Sequence, residues 1–333
     1  MLVQRTVSIA LATRNGARFL AGQLDSFLAQ TRPPDELVVG DDGSDDATVP
    51  MIRQFAARAG FTVRITVNRP PLGPAANFAA AIARCSGDVV FLSDQDDIWH
   101  PNKLARMLAW FDANPRRMVA LHDAALVDGD GHPLGRTMGQ QLIAAGVSPD
   151  TGLVAGCCMA IDGRLARLFS PAPVTRTHDA WLTSIADLLD VRGYLPEPLI
   201  DYRRHGANVS QSYMSDARPA SPLRRLRERA ARAAGEPAAA SLERAIADRA
   251  SAIRALETHR GVFDGVVPDG RVDAALRTLH AAQARDGTRL GVHRTRRLAR
   301  PLRVFQALAG DTYCGKGGWL SLARDVFDAA RRG

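Results

Sequence analysis

The sequence predicts an α/β protein: a doubly wound, mixed but mainly parallel sheet with a helical C-terminal extension. Three observations predict it. Short apolar runs alternate with segments of helical spacing through the first hundred residues. The connections between them are short, as in βαβ units whose right-handed crossovers lay helices on both faces of a sheet. Beyond residue 212 the chain turns rich in Arg and Ala and keeps a helical pattern. A chain of 333 residues has room for a domain of roughly 200 residues plus an appendage, read here as 1–212 and 213–333.

The elements follow in order. Val7-Ser8-Ile9-Ala10-Leu11-Ala12 is a short apolar run, the mark of a parallel strand buried on both faces. Phe19, Leu20, Leu24, Phe27 and Leu28 give residues 16–30 helical spacing, and Pro33-Pro34 ends that helix. Residues 36–40 form a second strand, closed by Asp41-Asp42-Gly43-Ser44. Asp45 or Asp46 caps a helix that runs to about Gly60. Residues 61–67 alternate as a strand, 74–85 form an Ala-rich helix, and 88–92 form an apolar strand. That strand stops at Ser93-Asp94-Gln95-Asp96-Asp97. Then the order changes to a helix (103–111), strands at 118–127 and 156–161, a helix (178–189) and a strand (197–203). In such sheets ligands bind beyond the carboxyl ends of the strands. Thr13 to Asn15, Asp41 with Asp42, and Asp94 to Asp97 all stand at that edge, so they are expected to meet at one mouth.

Hydrophobic residues make up 46% of the chain, enough for a sizeable core, and the formal net charge is +8. The charge is unevenly placed. Residues 1–210 carry 20 Lys and Arg against 22 Asp and Glu, whereas residues 211–333 carry 23 against 13. The basic excess therefore lies away from the acidic mouth. No nucleic-acid recognition motif accompanies it. The expected partner of 213–333 is an anionic membrane surface, weighed against a merely solvated helical face. Cysteines at 85, 157, 158 and 314 have no metal-finger spacing, and the apolar start is too short for a signal peptide. No run of about 18 apolar residues offers a membrane span. A reduced cytoplasmic chain is expected, peripheral at most to the inner membrane face.

Three segments carry chemistry. In Phe91-Leu92-Ser93-Asp94-Gln95-Asp96-Asp97 a buried strand ends in clustered carboxylates. Hard divalent ions are held by one or two such groups together with substrate phosphates. The plain alternative is an acidic turn capping the next helix. In Asp41-Asp42-Gly43-Ser44 a carboxylate is placed to accept from a nucleobase N–H or a ribose hydroxyl, against simple turn chemistry. In Thr13-Arg14-Asn15-Gly16 a hydroxyl and an amide stand beside a cation suited to phosphate, against helix capping.

These segments, taken with Gln23-Leu24-Asp25-Ser26, Gln30-Thr31, Asp35-Glu36-Leu37-Val38-Val39 and Ile98-Trp99, resemble glycosyltransferase family 2 over about residues 7–210. They look most like its bacterial rhamnosyltransferase-type members. The resemblance implies a nucleotide-sugar-binding (GT-A) fold, a nucleotide-diphospho-sugar donor such as dTDP-rhamnose, Mg²⁺ or Mn²⁺, and inversion at the anomeric carbon. It implies a glycan or lipid-linked acceptor in cell-surface polysaccharide synthesis. Carried over by position, Asp41 or Asp42 would hold the base, with Thr13, Arg14 and Asn15 along the nucleotide. Asp94 and Asp96 would form the metal-linked pair. The 68–77 segment, with Asn77, would contact the donor, and Gly156-Cys157-Cys158-Met159 would face the acceptor.

An inverting transfer also needs a base for the acceptor hydroxyl. His178-Asp179-Ala180-Trp181-Leu182 resembles the family's base segment, which nominates Asp179, with His178 as reserve and helix capping as the plain role of Asp179. Tyr202-Arg203-Arg204-His205-Gly206 resembles the family too; Arg203, Arg204 and His205 would meet the diphosphate, or His205 would complete the metal shell. Gly310 to Gly317 nearly matches a P-loop but lacks the Ser or Thr after Lys316, and reads as a turn before an amphipathic segment at 319–330. Two rivals remain. A sugar-nucleotide nucleotidyltransferase would show a Gly-rich loop after strand one, where this chain has a single glycine. A non-catalytic glycan-binding relative would be expected to lose the carboxylates.

Overall fold

β1 (Val7–Thr13) lies between two parallel neighbours, β2 (Glu36–Asp41) and β4 (Val89–Ser93), and β2 carries β3 (Thr62–Val67) on its far side. The computed structural model describes residues 5–169, 177–205 and 238–295, with Thr312, Ser321, Leu322 and Asp325. The chain divides into two compact units, 1–219 with 261–268 and 220–260 with 269–333. The boundary expected at 212, the Gly310–Gly317 turn and the helix at 319–330 fall outside the described residues, apart from those four.

The first unit is a nine-stranded mixed sheet with helices. Its strand order is β3-β2-β1-β4-β8-β6-β9-β5, with β7 beside β6. The remaining strands are β5 (Ile98–Trp99), β6 (Val119–Val127), β7 (Pro133–Thr137), β8 (Met159–Asp162) and β9 (Arg192–Arg203). β8 runs antiparallel to β4 and β6, while β6 and β9 are parallel. Val7, Ile9, Ala10, Leu11, Val89, Val90, Phe91 and Leu92 are wholly buried, which is why these strands read as continuous apolar runs rather than alternating ones. Helix α1 (Ala17–Leu28) buries Leu20, Leu24 and Phe27 on one stripe; each such side chain stabilises the fold by about 1.5–3 kcal/mol.

The parallel registers build the mouth. Thr13 faces Asp41 across β1 and β2, Asp41 faces Val67, and Leu11 faces Ser93. The polar ends of β1, β2 and β4 thus finish at one edge. Helices α2 (Thr48–Ala56), α3 (Pro74–Ala83), α4 (Lys103–Ala113) and α7 (His178–Leu189) stand where helical spacing predicts them.

Three differences from the sequence reading have physical causes. The strand expected over 156–161 begins as a tight turn at Gly156–Cys158, and only Met159–Asp162 pairs. The last strand starts five residues early, at Arg192, because it pairs with β6 through two register breaks. One break falls between Leu195 and Pro198; Pro196 and Pro198 lack ladder donors, and a bulge absorbs them. The third difference is a hairpin strand, β7, followed by α5 (Met138–Ala144) and α6 (Pro149–Gly152), which the sequence reading left unassigned. Thr137 and Gln140 form a capping box at the start of α5, a spacing visible in the sequence.

The second unit contains α8 (Ala238–Thr258) and α9 (Arg271–Arg294), with Leu242, Ile253, Leu256, Val272, Leu290 and Val292 buried. Charge is buried with them. Asp325, fully buried, accepts from Arg289 Nε at 2.8 Å and Nη2 at 3.0 Å, and Arg249 pairs with Asp286. Among the described residues no helix is long and apolar enough to cross a membrane.

Candidate active site

A cleft of about 770 Å³ opens at the carboxyl edge of β1, β2 and β4. Of the residues singled out by sequence, Thr13, Arg14, Asn15, Asp42, Asn77, Asp94, Asp96 and His205 line it. Asp41, Asp179, Arg203 and Arg204 do not. Arg18, Phe19, Phe78, Gln95 and Tyr202 line it without having been singled out.

One end is held by a hydrogen-bond chain. Asp41 is fully buried and accepts from Thr13 Oγ1 (2.8 Å), the Ser44 N–H (2.8 Å) and Ser44 Oγ (2.6 Å). It shapes the turn, and of the two carboxylates Asp42 is the one that lines the cleft. Asp42 accepts from the N–H groups of Leu72 (2.6 Å) and Gly73 (2.9 Å) and faces Arg14 at 3.7 Å. Asn68 donates to Asp42 (3.2 Å) and to Asn77 Oδ1 (2.8 Å), and Asn77 donates to the Gly40 carbonyl (2.8 Å). Gly40 is required here, because a Cβ would sit 2.4 Å from Asn77 Oδ1. Across the cleft, Gln95 accepts from the Arg14 N–H (2.9 Å) and donates to the Arg14 carbonyl (3.1 Å), which ties the ends of β1 and β4 together.

The other end is acidic. The Asp94 carboxyl is pushed up to about 7, by burial first and then by the charges of Asp96 and Asp179; a hydrogen bond from Cys157 opposes this. Asp96 Oδ2 meets His205 Nε2 at 2.8 Å. The His205 ring stacks on Phe19 with centroids 4.6 Å apart, and the Arg203 guanidinium lies 5.2 Å over the same ring. Arg203 Nε donates to the Asp96 carbonyl (3.1 Å) and its Nη1 to the Gly129 carbonyl (3.1 Å). The Arg204 N–H binds the Val127 carbonyl (2.9 Å). The Tyr202 hydroxyl keeps its proton, raised by burial and then by the surrounding Cys157, Asp97, Asp94 and Asp96.

Carboxylates and an imidazole are donors of the kind Mg²⁺ or Mn²⁺ accept. Asp94, Asp96 and His205 line one cleft, and Asp96 meets His205, but the three do not form one cluster of ligand atoms. Burial, then the charges of Asp96 and Asp179, disfavours the ionised Asp94 carboxyl, and the charge of Lys103 opposes this. At this end of the cleft the ligand-type atoms that lie within 4.8 Å of one another, among the described residues, are those of Asp94, Asp97 and Cys157.

Asp179 stands in the first turn of α7, close enough for its charge to act on Asp94. It does not cap the helix; Thr177 occupies that position. Its Oδ1 accepts from the Ala180 N–H at 2.7 Å. His178, the reserve base, is buried and stacks on Phe78 at 3.9 Å. Its Nε2 would lie 2.6 Å from a Cβ on Gly156, so that glycine makes room for the ring. Burial lowers His178 to about 4, which keeps it neutral at pH 7.

The family model described as glycosyl transferase family 2 matches residues 8–135. An uncharacterized glycosyltransferase of Nostoc sp. (strain PCC 7120) is 30% identical over 221 residues, 63% of this chain and 68% of the relative. The UDP-Glc:alpha-D-GlcNAc-diphosphoundecaprenol beta-1,3-glucosyltransferase WfgD of Escherichia coli is 30% identical over 103 residues, 31% of this chain and 40% of that one. Mycobacterial relatives, 27% identical over 229 residues, are matched along 62% of their length. In fold, residues 1–349 of S. aureus TarS, solved with UDP-GlcNAc, align over 97% of this chain and 89% of that one, with TM-score 0.56 and 15% identity.

Proposed function

This chain belongs to glycosyl transferase family 2, and from that premise we propose that it moves a sugar from a nucleotide diphosphate to a glycan or lipid-linked acceptor, with inversion. The observation that carries the reading is that Asp94, Asp96 and His205 line the same cleft as Thr13, Asn15 and Asp42. In this reading the nucleoside lies along Thr13, Asn15 and Asp42. Arg14 and Arg18 face the diphosphate, where guanidinium recognises phosphate oxygens. Asp94, Asp96 and His205 would hold Mg²⁺ or Mn²⁺, which would supply positive charge to a departing diphosphate. Asp179 takes the acceptor proton as that oxygen bonds to the anomeric carbon and the sugar–diphosphate bond breaks on the opposite face.

Two likenesses support the substrate classes. TarS was solved with UDP-GlcNAc, which favours a nucleotide-diphospho-sugar donor, and WfgD is named for a lipid-diphosphate-linked acceptor. Among donors, dTDP-rhamnose is the first to test, on the motif resemblance. The test is a thermal-shift series with UDP, GDP and dTDP, each with and without Mn²⁺. At least one nucleotide is expected to raise the melting temperature by several degrees with Mn²⁺ and by much less without it. No shift with any nucleotide would sink the donor assignment.

The basic segment 213–333 is proposed to hold the enzyme at an anionic membrane face, where lipid-linked acceptors are presented. The support is its charge, 23 Lys and Arg against 13 Asp and Glu. Co-sedimentation with anionic vesicles is expected at low salt and is lost as salt rises, because screening shortens surface electrostatics. Equal binding to neutral vesicles would argue against it.

A further inference from the structure

Between Asp94 and Asp96 stands a residue whose polar end is spent on another loop. The β1–β4 ladder ends with Leu11 beside Ser93. Beyond it the Gln95 side chain continues the pairing. Its Oε1 accepts from the Arg14 N–H at 2.9 Å, and its Nε2 donates to the Arg14 carbonyl at 3.1 Å. One amide thus holds both backbone polar groups of one residue. The residues that follow are held from the β2 side. The Asn15 N–H donates to Ser44 Oγ (2.9 Å), Asn15 Oδ1 accepts from the Asp45 N–H (3.0 Å), and the Gly16 N–H donates to Thr48 Oγ1 (2.8 Å). Between these two holds Asn15 takes the left-handed conformation, with φ 48°, which a residue with a side chain keeps only where its surroundings fix it.

Gly16 carries an independent mark of the same contact. Its φ of −98° is open to any residue, so the backbone does not demand glycine there. The space does: a Cβ would stand 2.2 Å from Gln95 Oε1 and 2.4 Å from Gln95 Cδ. Stability of the fold explains the clamp poorly. Both Gln95 bonds are open to solvent, where water replaces such bonds at little cost. We propose that Gln95 is a positioning residue: it clamps Arg14 so that Arg14 and Asn15 meet the nucleotide diphosphate in a loop already ordered. Binding then does not have to fix that loop against its conformational entropy. Arg14, Asn15, Gly16 and Gln95 all line the cleft. The proposal rests on the donor reading argued above.

The test compares wild type, Gln95→Ala, Gly16→Ala and the double variant. The probe is whichever of UDP, GDP and dTDP raises the wild-type melting temperature most with Mn²⁺. Its dissociation constant is measured by calorimetry well below melting, and amide exchange is followed by NMR in the ligand-free proteins. Gln95→Ala is expected to weaken nucleotide binding about tenfold, the order of fixing one residue's backbone. Gly16→Ala is expected to weaken it comparably, because its Cβ pushes the end of a flexible side chain off Arg14 without breaking the fold. The two losses do not multiply. The double variant binds within about twofold of Gln95→Ala, since no Gln95 is left to displace. In each variant the Arg14 amide exchanges about tenfold faster, while the Ile9 amide inside β1 keeps its wild-type rate. Losses that multiply in the double variant overturn the proposal, as does a Gln95→Ala protein that binds nucleotide like wild type. Weakened binding with an unchanged Arg14 amide makes Gln95 a direct nucleotide contact and overturns it. Faster exchange at Ile9 as well makes the effect a loss of fold and does the same. Should wild type bind none of the three nucleotides, the donor reading falls and the clamp's role with it; the proposal failing alone leaves wild-type binding intact.

Discussion

Asp179→Asn is expected to leave donor binding intact and to lower sugar transfer by about 10²- to 10⁴-fold, the range a positioned base contributes. The substitution keeps size and shape. Its amide oxygen still accepts the Ala180 N–H now bound to Asp179 Oδ1, so the first turn of α7 keeps that bond. Only the ability to take a proton is lost. His178 cannot substitute, because it is buried and neutral, wedged between Phe78 and Gly156. The measurements are the dissociation constant of the nucleotide sugar and single-turnover transfer. Normal turnover in this variant would remove Asp179 from the chemistry.

The second large effect is at Asp94. Asp94→Asn is expected to abolish Mn²⁺-dependent nucleotide binding while making the metal-free protein more stable. The two effects share one cause. Burial and the charges of Asp96 and Asp179 raise the Asp94 carboxyl to about 7, so its ionised form is disfavoured until a cation arrives. The sign of the pH dependence follows. Between its ordinary value near 4 and about 7, the native state holds a proton that the unfolded chain has shed, so metal-free stability falls as pH rises through that window. The Asn variant lacks this contribution to the slope. In wild type the proton competes with the ion, so the Mn²⁺-induced melting shift is larger at pH 8 than at pH 6. Thermal melts of both proteins at the two pH values, with and without Mn²⁺, check each statement. An Asp94→Asn protein that still needs Mn²⁺ for nucleotide binding would place the ion elsewhere.

Both predictions use residues that were legible in the sequence, and some of their neighbours were legible too. Lys103 shares a buried stripe with Leu104, Met107 and Phe111, so helical spacing alone places that lysine inward. Thr137 and Gln140 announced α5 in the same way. Phe19, Gln95 and Tyr202 carried no such signal. Phe19 looked like one more apolar residue on α1, and nothing local distinguishes an aromatic that packs in the core from one that stacks on His205. Gln95 acts only because the ends of β4 and β1 come side by side, where its amide meets both polar groups of the Arg14 peptide.

The sequence by itself determined the first four strands, the helices between them and the edge at which their polar ends gather. Apolar runs must be buried on both faces, and parallel pairing with short crossovers aligns their carboxyl ends. Tertiary structure alone decided what each acidic side chain does there. Asp41 turns into the sheet edge and Asp42 faces the cleft; Asp96 meets a histidine 109 positions away, and Asp97 is fully buried. Neighbours in sequence diverge because a bulged β9, the turn at Gly156–Cys158 and the burial of α4 set which carboxylates lose water and which keep it. Those contacts span most of the first unit, and no local window of sequence contains them.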